Sequence, residues 1–487
     1  MGPVRRMQQV EVVDDGHLIS AADGPRASGR ARRWVAVLLA VTLALVGAQL
    51  ALAARDRAVS ARFAQLPGAL PPVEADVGVL WRVDDADRAV LTEGAQVAGL
   101  VVGVRTGLDG AQDVVALDPR TGADRWTTPL SDANPARVQP GAPASVTSCA
   151  PVPPEPSGPE QPGTEPLVAC LVSDASLSIG SHRQPGTSRV VVVDAVDGRV
   201  VADRTAPPAV AFAVLPGLVA VGARARDGHA EVTVQDLLTG EVRWHRRSPE
   251  LDVSGFDVVA VGDHLVGVVE ADSHVTLLAA DGTVTRERQR YDRLSRDEAS
   301  TRLEILSGNL AFRPVTTIVQ PGRADVRIRG RLVRRAVDDG SLAGIELVEG
   351  SPMQARDAAS GDKLWQADRH TGGPVLVLRG LVYGTSVDMP GEIVAIDGRT
   401  GSVVWSADLG AYDQQARLMT DGRVLLVGLT PAQGAAEGSL VALSLADGQR
   451  LWQVPLPDGL SAVWTEGHVL VAGAGSEPTP AVVLGSP

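Results

Sequence analysis

The chain has 487 residues, enough for one large domain or several ordinary ones, and is 44% hydrophobic, so most of it can bury a core. Its formal net charge of -13 argues against nucleic-acid binding, because neutralising phosphates needs a basic surface.

Residues 1–33 carry six arginines against four acidic residues and no apolar periodicity; they read as a disordered cytoplasmic tail. Residues 34–54, "WVAVLLAVTLALVGAQLALAA", contain no charge. About 20 apolar residues at 1.5 Å each span a bilayer core. Arg26, Arg30, Arg32 and Arg33 precede this run, so the positive-inside rule keeps the N-terminus in the cytoplasm and puts the rest outside. The expectation is a single-pass cell-membrane protein. Ala51-Leu52-Ala53 also resembles a signal-peptide cleavage site, but the 33-residue leader and the length of the run favour a retained helix. Residues 55–76 read as a linker. The exterior portion holds 39 cations and 54 acidic residues, an acidic and soluble surface.

Residues 77–487 read as one domain. "VGVLWRVD", 77–84, is a strand with no hairpin partner of its own. Then "ALDPRTGADRW", 116–126, introduces a phrase that returns as "AIDGRTGSVVW" at 395–405. It recurs in weaker form at 234–244, 355–365 and 442–452, each time with Gly four residues before Trp. Each phrase reads as strand, turn, strand. The Asp side chain can bond backbone two residues on, and Gly takes a positive φ without steric cost. The turn glycines are Gly122, Gly198, Gly240, Gly282, Gly361, Gly401 and Gly448, spaced by 76, 42, 42, 79, 40 and 47 residues. Periods of this size mark propellers or helical arrays, and short alternating apolar runs choose the propeller.

Between the first two glycines stand Cys149 and Cys170, the only cysteines, separated by a proline-rich stretch that should loop out. "SVTSC" and "LVACLV" read as strands, so a disulfide would pin their ends, worth about 3 kcal/mol by loop closure; two buried free thiols are the other reading. The 79-residue spacing contains "GRADVRIRGRLVRR", 322–335, read as an arginine-rich insertion. Val326, Ile328 and Leu332 share a period of two, which puts Arg327, Arg329 and Arg331 on the opposite face. That face is either a charged edge that discourages aggregation or a docking patch for an anionic partner, an envelope protein or an envelope polymer.

After Gly448 three strands remain, 460–464, 468–473 and 481–485, with no fourth. If 77–84 supplies it, the ring closes through its N-terminus and leaves no open sheet edge. The expected fold is therefore all-β: an eight-bladed propeller, seven blades from the seven turns and an eighth closed by the N-terminal strand, behind one transmembrane helix; the 76- and 79-residue spacings could instead each hide a decayed further blade, but each contains an identifiable insertion and only one further hairpin's worth of apolar runs. Trp81, Trp126, Trp244, Trp365, Trp405 and Trp452 are assigned to structural docking between blades; burying about 200 Å² of ring contributes up to about 5 kcal/mol each.

The pattern Ala-x-Asp-x-x-Thr-Gly-x-x-x-Trp resembles the tryptophan-docking repeat of quinoprotein alcohol dehydrogenases, the PQQ-like propeller family. The resemblance covers 77–487; it erodes at 192–202 and 277–286, where Ala202 and Arg286 replace Trp. It implies the fold and not the enzyme, since the same repeat builds a non-enzymatic propeller lipoprotein of the outer-membrane assembly machinery. The dehydrogenases of the family hold PQQ and calcium with adjacent cysteines, carboxylates and amides, and use a catalytic Asp. Here the cysteines are 21 apart, only Asn134 and Asn309 supply Asn amides, and no Asp matches the base. The eight histidines show no metal-ligand spacing, and no nucleophile elbow or phosphate loop occurs. No cofactor, metal or catalytic residue is assigned. One lysine, Lys363, among 45 cations points to GC-rich bacterial coding. The functional expectation is a non-catalytic, membrane-anchored extracytoplasmic propeller that scaffolds or binds another envelope protein. The alternative is a quinoprotein-like dehydrogenase, or a receptor using the central channel.

Overall fold

A computed structural model describes residue 49 and residues 62–137, 147–154, 166–173, 176–179, 182–225, 227–251, 257–261, 265–270, 274–290, 293–296, 303–307, 314–319, 324–410, 416–430, 438–457, 459–474 and 480–486. The chain divides into two units, 1–61 and 62–487. Apart from Gln49, the expected tail and membrane span lie outside the described residues. No helix among the described residues is long and apolar enough to cross a membrane.

Residues 62–487 form a β-propeller, and the described strands make nine blades where the repeat count gives eight. Blade one runs from Ala95–Val97 through Leu100–Thr106 and Gln112–Leu117 to Asp124–Ser131, inner strand to outer. Blades two, three and four repeat this antiparallel pattern with outer strands Val200–Ala206, Val242–Leu251 and Val284–Arg290. A small hairpin, Ser176–Ile179 with His182–Pro185, is inserted in blade two. The central strands alternate little and are almost wholly buried, as in Leu167–Ser173 and Val424–Leu429, because each sheet is covered on both faces by its neighbours.

The unexpected blade is the fifth: Arg293–Arg296, Leu303–Ser307, Val315–Val319 and Val326–Arg329. It occupies the 79-residue spacing read above as an arginine-rich insertion. It has no docking tryptophan, and Gly322, between its third and outer strands in the sequence, stands outside the repeated Asp-Gly-Trp phrase, so a count of the phrase passes over it. Among the described residues the 76-residue spacing holds no extra blade.

Blades six and seven share a strand. Blade six keeps three strands, Ile345–Val348, Gln354–Asp357 and Lys363–Gln366. Arg335–Asp338, which should have been its innermost strand, pairs in parallel with Thr371–Leu378 and gives blade seven five strands, ending at Glu392–Asp397 and Val403–Asp408. Arg335 fills the gap left behind: its guanidinium donates to the Ile345 carbonyl at 2.6 Å and pairs with Asp338 at 2.5 Å and Glu346 at 3.4 Å.

Blade eight runs from Arg417–Thr420 to Arg450–Pro455. Blade nine joins the two ends of the chain: Ala462–Glu466, Val469–Gly473 and Val482–Gly485 receive Gly78–Arg82 as outer strand, with Trp81 opposite Val483. The ring therefore closes through its N-terminal strand. Helix α1, Asp85–Glu93, follows it; Asp84 caps the helix by accepting from Asp87 N at 2.8 Å, and Val90 and Leu91 are buried. Asp84-Asp85, which reads as turn chemistry in the sequence, is a helix start.

Residues 62–77 lie along blades seven to nine. A Cβ on Gly422 would meet the Phe63 ring at 2.8 Å. Leu70 and Val73 are buried in the cluster between blades eight and nine. Leu70 N donates to the Thr420 carbonyl at 2.9 Å, Val73 N to Asp421 at 3.1 Å, and His468 Nδ1 lies 2.7 Å from the Ala69 carbonyl. The segment read as a linker is thus packed from residue 62 onward.

Candidate interaction surface

The repeated phrase forms the contact between one blade and the next. Its Asp fixes the turn: Asp397 accepts from the N–H groups of Arg399 and Thr400, both at 2.9 Å. These bonds, that of Arg399 foremost, hold the Asp397 carboxyl below its ordinary value. Asp236 and Asp357 are lowered in the same way, chiefly by the N–H groups of Thr239 and Ser360. The turn glycine then has φ +68° at Gly122 and +80° at Gly401, and a tryptophan from the preceding blade lies against it. A Cβ on Gly122 would come within 2.5 Å of the Trp81 ring, so Gly serves both the conformation and the contact.

Each docked indole also donates to a turn carbonyl. Trp81 reaches Pro119 at 3.1 Å, Trp126 reaches Ala195 at 3.1 Å, and Trp244 reaches Ala280 at 2.9 Å. Trp365 reaches Gly398 at 3.0 Å and Trp405 reaches Leu445 at 3.1 Å. Tyr383 donates to the same Leu445 carbonyl at 3.1 Å, its ring 5.8 Å from that of Trp405. Trp452 differs. It packs on the cluster between blades eight and nine, but among the described residues no group accepts from its indole N–H.

Where the tryptophan is absent, other side chains take its place. Ala202 is too small to dock, and Arg204, two residues on and on the same face, donates to the carbonyls of Asp236, at 2.9 Å, and Leu237. Burial lowers the Arg204 guanidinium, opposed by Asp236. Arg286 makes a bidentate pair with Asp325 of blade five, at 2.8 and 3.0 Å. Arg204 and Asp325 escape a motif search because one lies out of register and the other lies in an unrecognised blade.

Cys149 and Cys170 are bonded and stand opposite one another on paired strands of blade two. The arginine stretch is divided. Val326–Arg329 is the outer strand of blade five; Ile328 is fully buried, and Arg327 and Arg329 are exposed on its other face. Arg331 lies beyond the strand and pairs with Glu349 at 3.6 Å. Among the described residues no carboxylate pairs with Arg327 or Arg329. Away from the docking positions, Trp464 of blade nine donates to Glu466 at 2.7 Å and carries Arg417 of blade eight over its ring at 5.6 Å.

Nothing among the described residues groups three or more His, Cys, Asp or Glu so as to hold a metal ion. The one disulfide joins cysteines 21 residues apart, not the adjacent pair associated with PQQ. The described residues therefore show no set that fits PQQ and calcium.

A family model described as "Outer membrane protein assembly factor BamB" matches residues 349–477, about a quarter of the chain. No curated protein matches the sequence. Among solved structures, BamB from Moraxella catarrhalis is similar at 15% identity, covering 64% of this chain and 97% of that one, with a TM-score of 0.35. Quinohemoprotein alcohol dehydrogenase from Comamonas testosteroni is similar at 14% identity, covering 85% and 78%, with a TM-score of 0.33. The computationally designed Ika8 protein is similar at 14% identity, covering 86% and 99%, with a TM-score of 0.32.

Proposed function

We propose that this PQQ-like β-propeller is a non-catalytic scaffold, anchored in a bacterial cell membrane through residues 34–54, that binds another protein of the envelope. The observation that carries the reading is the match of residues 349–477, most of blades six and seven, blade eight and part of blade nine, to a family described as an outer membrane protein assembly factor. The site chemistry supports it. The Asp, Gly and Trp of the repeat serve the turns and the blade contacts, and among the described residues no set fits PQQ and calcium. Exposed Arg327 and Arg329 on an outer strand of an otherwise acidic surface would favour an acidic partner by electrostatic complementarity, which acts mainly on association rate and choice of partner.

Proximity labelling from the full-length protein in its native cell tests this. A reproducible set of envelope proteins is expected, beyond that labelled by residues 1–61 alone. Arg327→Glu with Arg329→Glu should deplete part of the set without lowering the melting temperature. An unchanged set would return the outer strand of blade five to ordinary surface. No reproducible set at all would contradict the scaffold reading.

A further inference from the structure

Glu392 opens the third antiparallel strand of blade seven and is only 6% exposed. Among the described residues no group donates to its buried Oε2. A buried carboxylate without a partner is strongly unfavourable, and such a group calls for a counter-ion or a proton. Asp408 stands directly opposite it on the outer strand. Leu409 N donates to the Gly391 carbonyl at 3.0 Å, so Glu392 and Asp408 form a pair without mutual ladder bonds, the kind whose side chains lie closest. Asp408 Oδ1 accepts from Gly410 N at 2.8 Å. Among the described residues no cation pairs with either carboxylate, and the His370 ring is engaged by Asp388 at 2.7 Å.

On the other side of Glu392, Thr385 is opposite Ile393 and Ser386 is opposite Thr371. Thr371, Ser386, Glu392 and Asp408 thus form a row on one face, across the four antiparallel strands of blade seven. That face is turned to blade six: Thr371 Oγ1 donates to Met353 Sδ at 3.5 Å, and Val394, two residues along from Glu392, packs with Met353, Ala355 and Trp365. Blade six meets the row with apolar groups. In blade three the same two positions, three before the tryptophan's strand partner and three past the tryptophan, hold Glu231 and Arg247, and His245 lies 3.7 Å from Glu231. Blade one has Asp113 opposite Pro129, and blade eight has Ser439 opposite Pro455. Blade seven instead sets carboxylate against carboxylate, and like charges directly opposite destabilise a sheet.

We propose that Glu392 and Asp408 hold a divalent cation of magnesium size on the face of blade seven turned to blade six, with the Ser386 and Thr371 hydroxyls as further donors and water completing the octahedron. Every donor is oxygen, which selects a hard cation, and without imidazole or thiolate the set does not suit zinc. Four side chains fixed on a ladder fall short of the roughly six to eight oxygens that calcium takes, whereas magnesium keeps several waters and is held by one or two carboxylates. The cation removes the repulsion between the carboxylates and supplies the buried Oε2 with its partner. It ties together all four antiparallel strands of the blade, whatever the propeller binds.

Full-length protein is stripped with EDTA and titrated with Mn²⁺, a paramagnetic stand-in for Mg²⁺, with free Mn²⁺ read by electron paramagnetic resonance. Glu392→Gln and Asp408→Asn should each bind one Mn²⁺ fewer than the native protein, and Mg²⁺ should displace that ion. Glu231→Gln should bind as the native protein does. Mg²⁺ should raise the melting temperature of the native protein by a few degrees, and Ca²⁺ at the same concentration should not. In EDTA, Glu392→Gln should melt no lower than the native protein, because it relieves the repulsion with Asp408. Equal Mn²⁺ binding by the native protein and both variants overturns the site. So does a Glu392→Gln protein that melts well below the native one in EDTA, since the carboxylate would then serve the fold without a metal. A Ca²⁺ shift as large as that with Mg²⁺ overturns the choice of cation.

Discussion

Arg204 donates to the carbonyl of Leu237, the carbonyl three residues before a turn glycine that Trp126, Trp365 and Trp405 reach in their own interfaces. Blade one shows what the tryptophan form of this contact needs: Trp126 docks, and Thr128 donates to the Gly198 carbonyl at 2.6 Å. Ala202 and Arg204 occupy those two positions in blade two. Arg204→Thr alone should destabilise by about 2 kcal/mol, as for hydrogen bonds to a charged group. Adding Ala202→Trp should recover that loss and exceed the native stability. Urea melts of the three proteins measure it; a double variant no better than Arg204→Thr would contradict the equivalence.

Trp81→Ala should cost about 3 kcal/mol, within the range for a large aromatic truncated against packed neighbours. The structure places the damage on both sides of the seam. Trp81 docks on the blade-one turn at Pro119 and Gly122, and it packs with Val469, Val471 and Val483 of blade nine. Hydrogen exchange should rise in both segments. A change confined to one blade would contradict ring closure by this residue.

Arg335, its side chain 12% exposed, is a largely buried cation between Asp338 and Glu346, and Glu346 is only 4% exposed. Removing one partner of such a cluster leaves uncompensated charge, which costs about 3–5 kcal/mol. Arg335→Leu should therefore lower the melting temperature severely, and adding Glu346→Leu and Asp338→Asn should restore much of it. A mild effect of Arg335→Leu would show that the splayed strand does not depend on this cluster.

The repeated turns predict a direction of pH dependence. Asp397 has its folded pKa lowered from 3.8 by the Arg399 and Thr400 N–H groups. A lowered carboxylate contributes stability that is present above the unfolded value and lost as pH falls through the folded one. Thermal melts should therefore fall below about pH 4, the unfolded carboxylate value. Asp397→Asn, which keeps an acceptor but does not titrate, should show a shallower decline. Parallel curves for the two proteins would contradict the assignment.

The propeller was legible because five turns keep Gly and Trp at one spacing, four of them with the turn Asp and the fifth with Ser444 in its place, and because the N-terminal strand and three C-terminal strands lacked partners that only each other could supply. Blade five was not legible. Its contact with blade four joins an apolar cluster, Leu265, Val275 and Leu277 against Ile305 and Val319, to the Arg286–Asp325 ion pair that stands in for a docked tryptophan, and neither leaves a fixed spacing in the sequence. The shared strand of blades six and seven was hidden for a related reason. Arg335 closes the arginine-rich stretch in the sequence, and the parallel partner of Arg335–Asp338 begins more than thirty residues later. In the arginine stretch, alternation correctly separated Ile328 from Arg327 and Arg329. It could not show that Gly330, at φ +117°, ends the strand before Arg331.

The central claim is that this propeller binds a polypeptide and does not oxidise alcohols. The most direct measurement is a titration of the purified full-length protein with PQQ and calcium, read as a thermal shift and as dye-linked alcohol oxidation. No shift and no oxidation are predicted, since neither the disulfide nor the described carboxylates form the required set. A shift of several degrees accompanied by alcohol-dependent dye reduction would contradict the account.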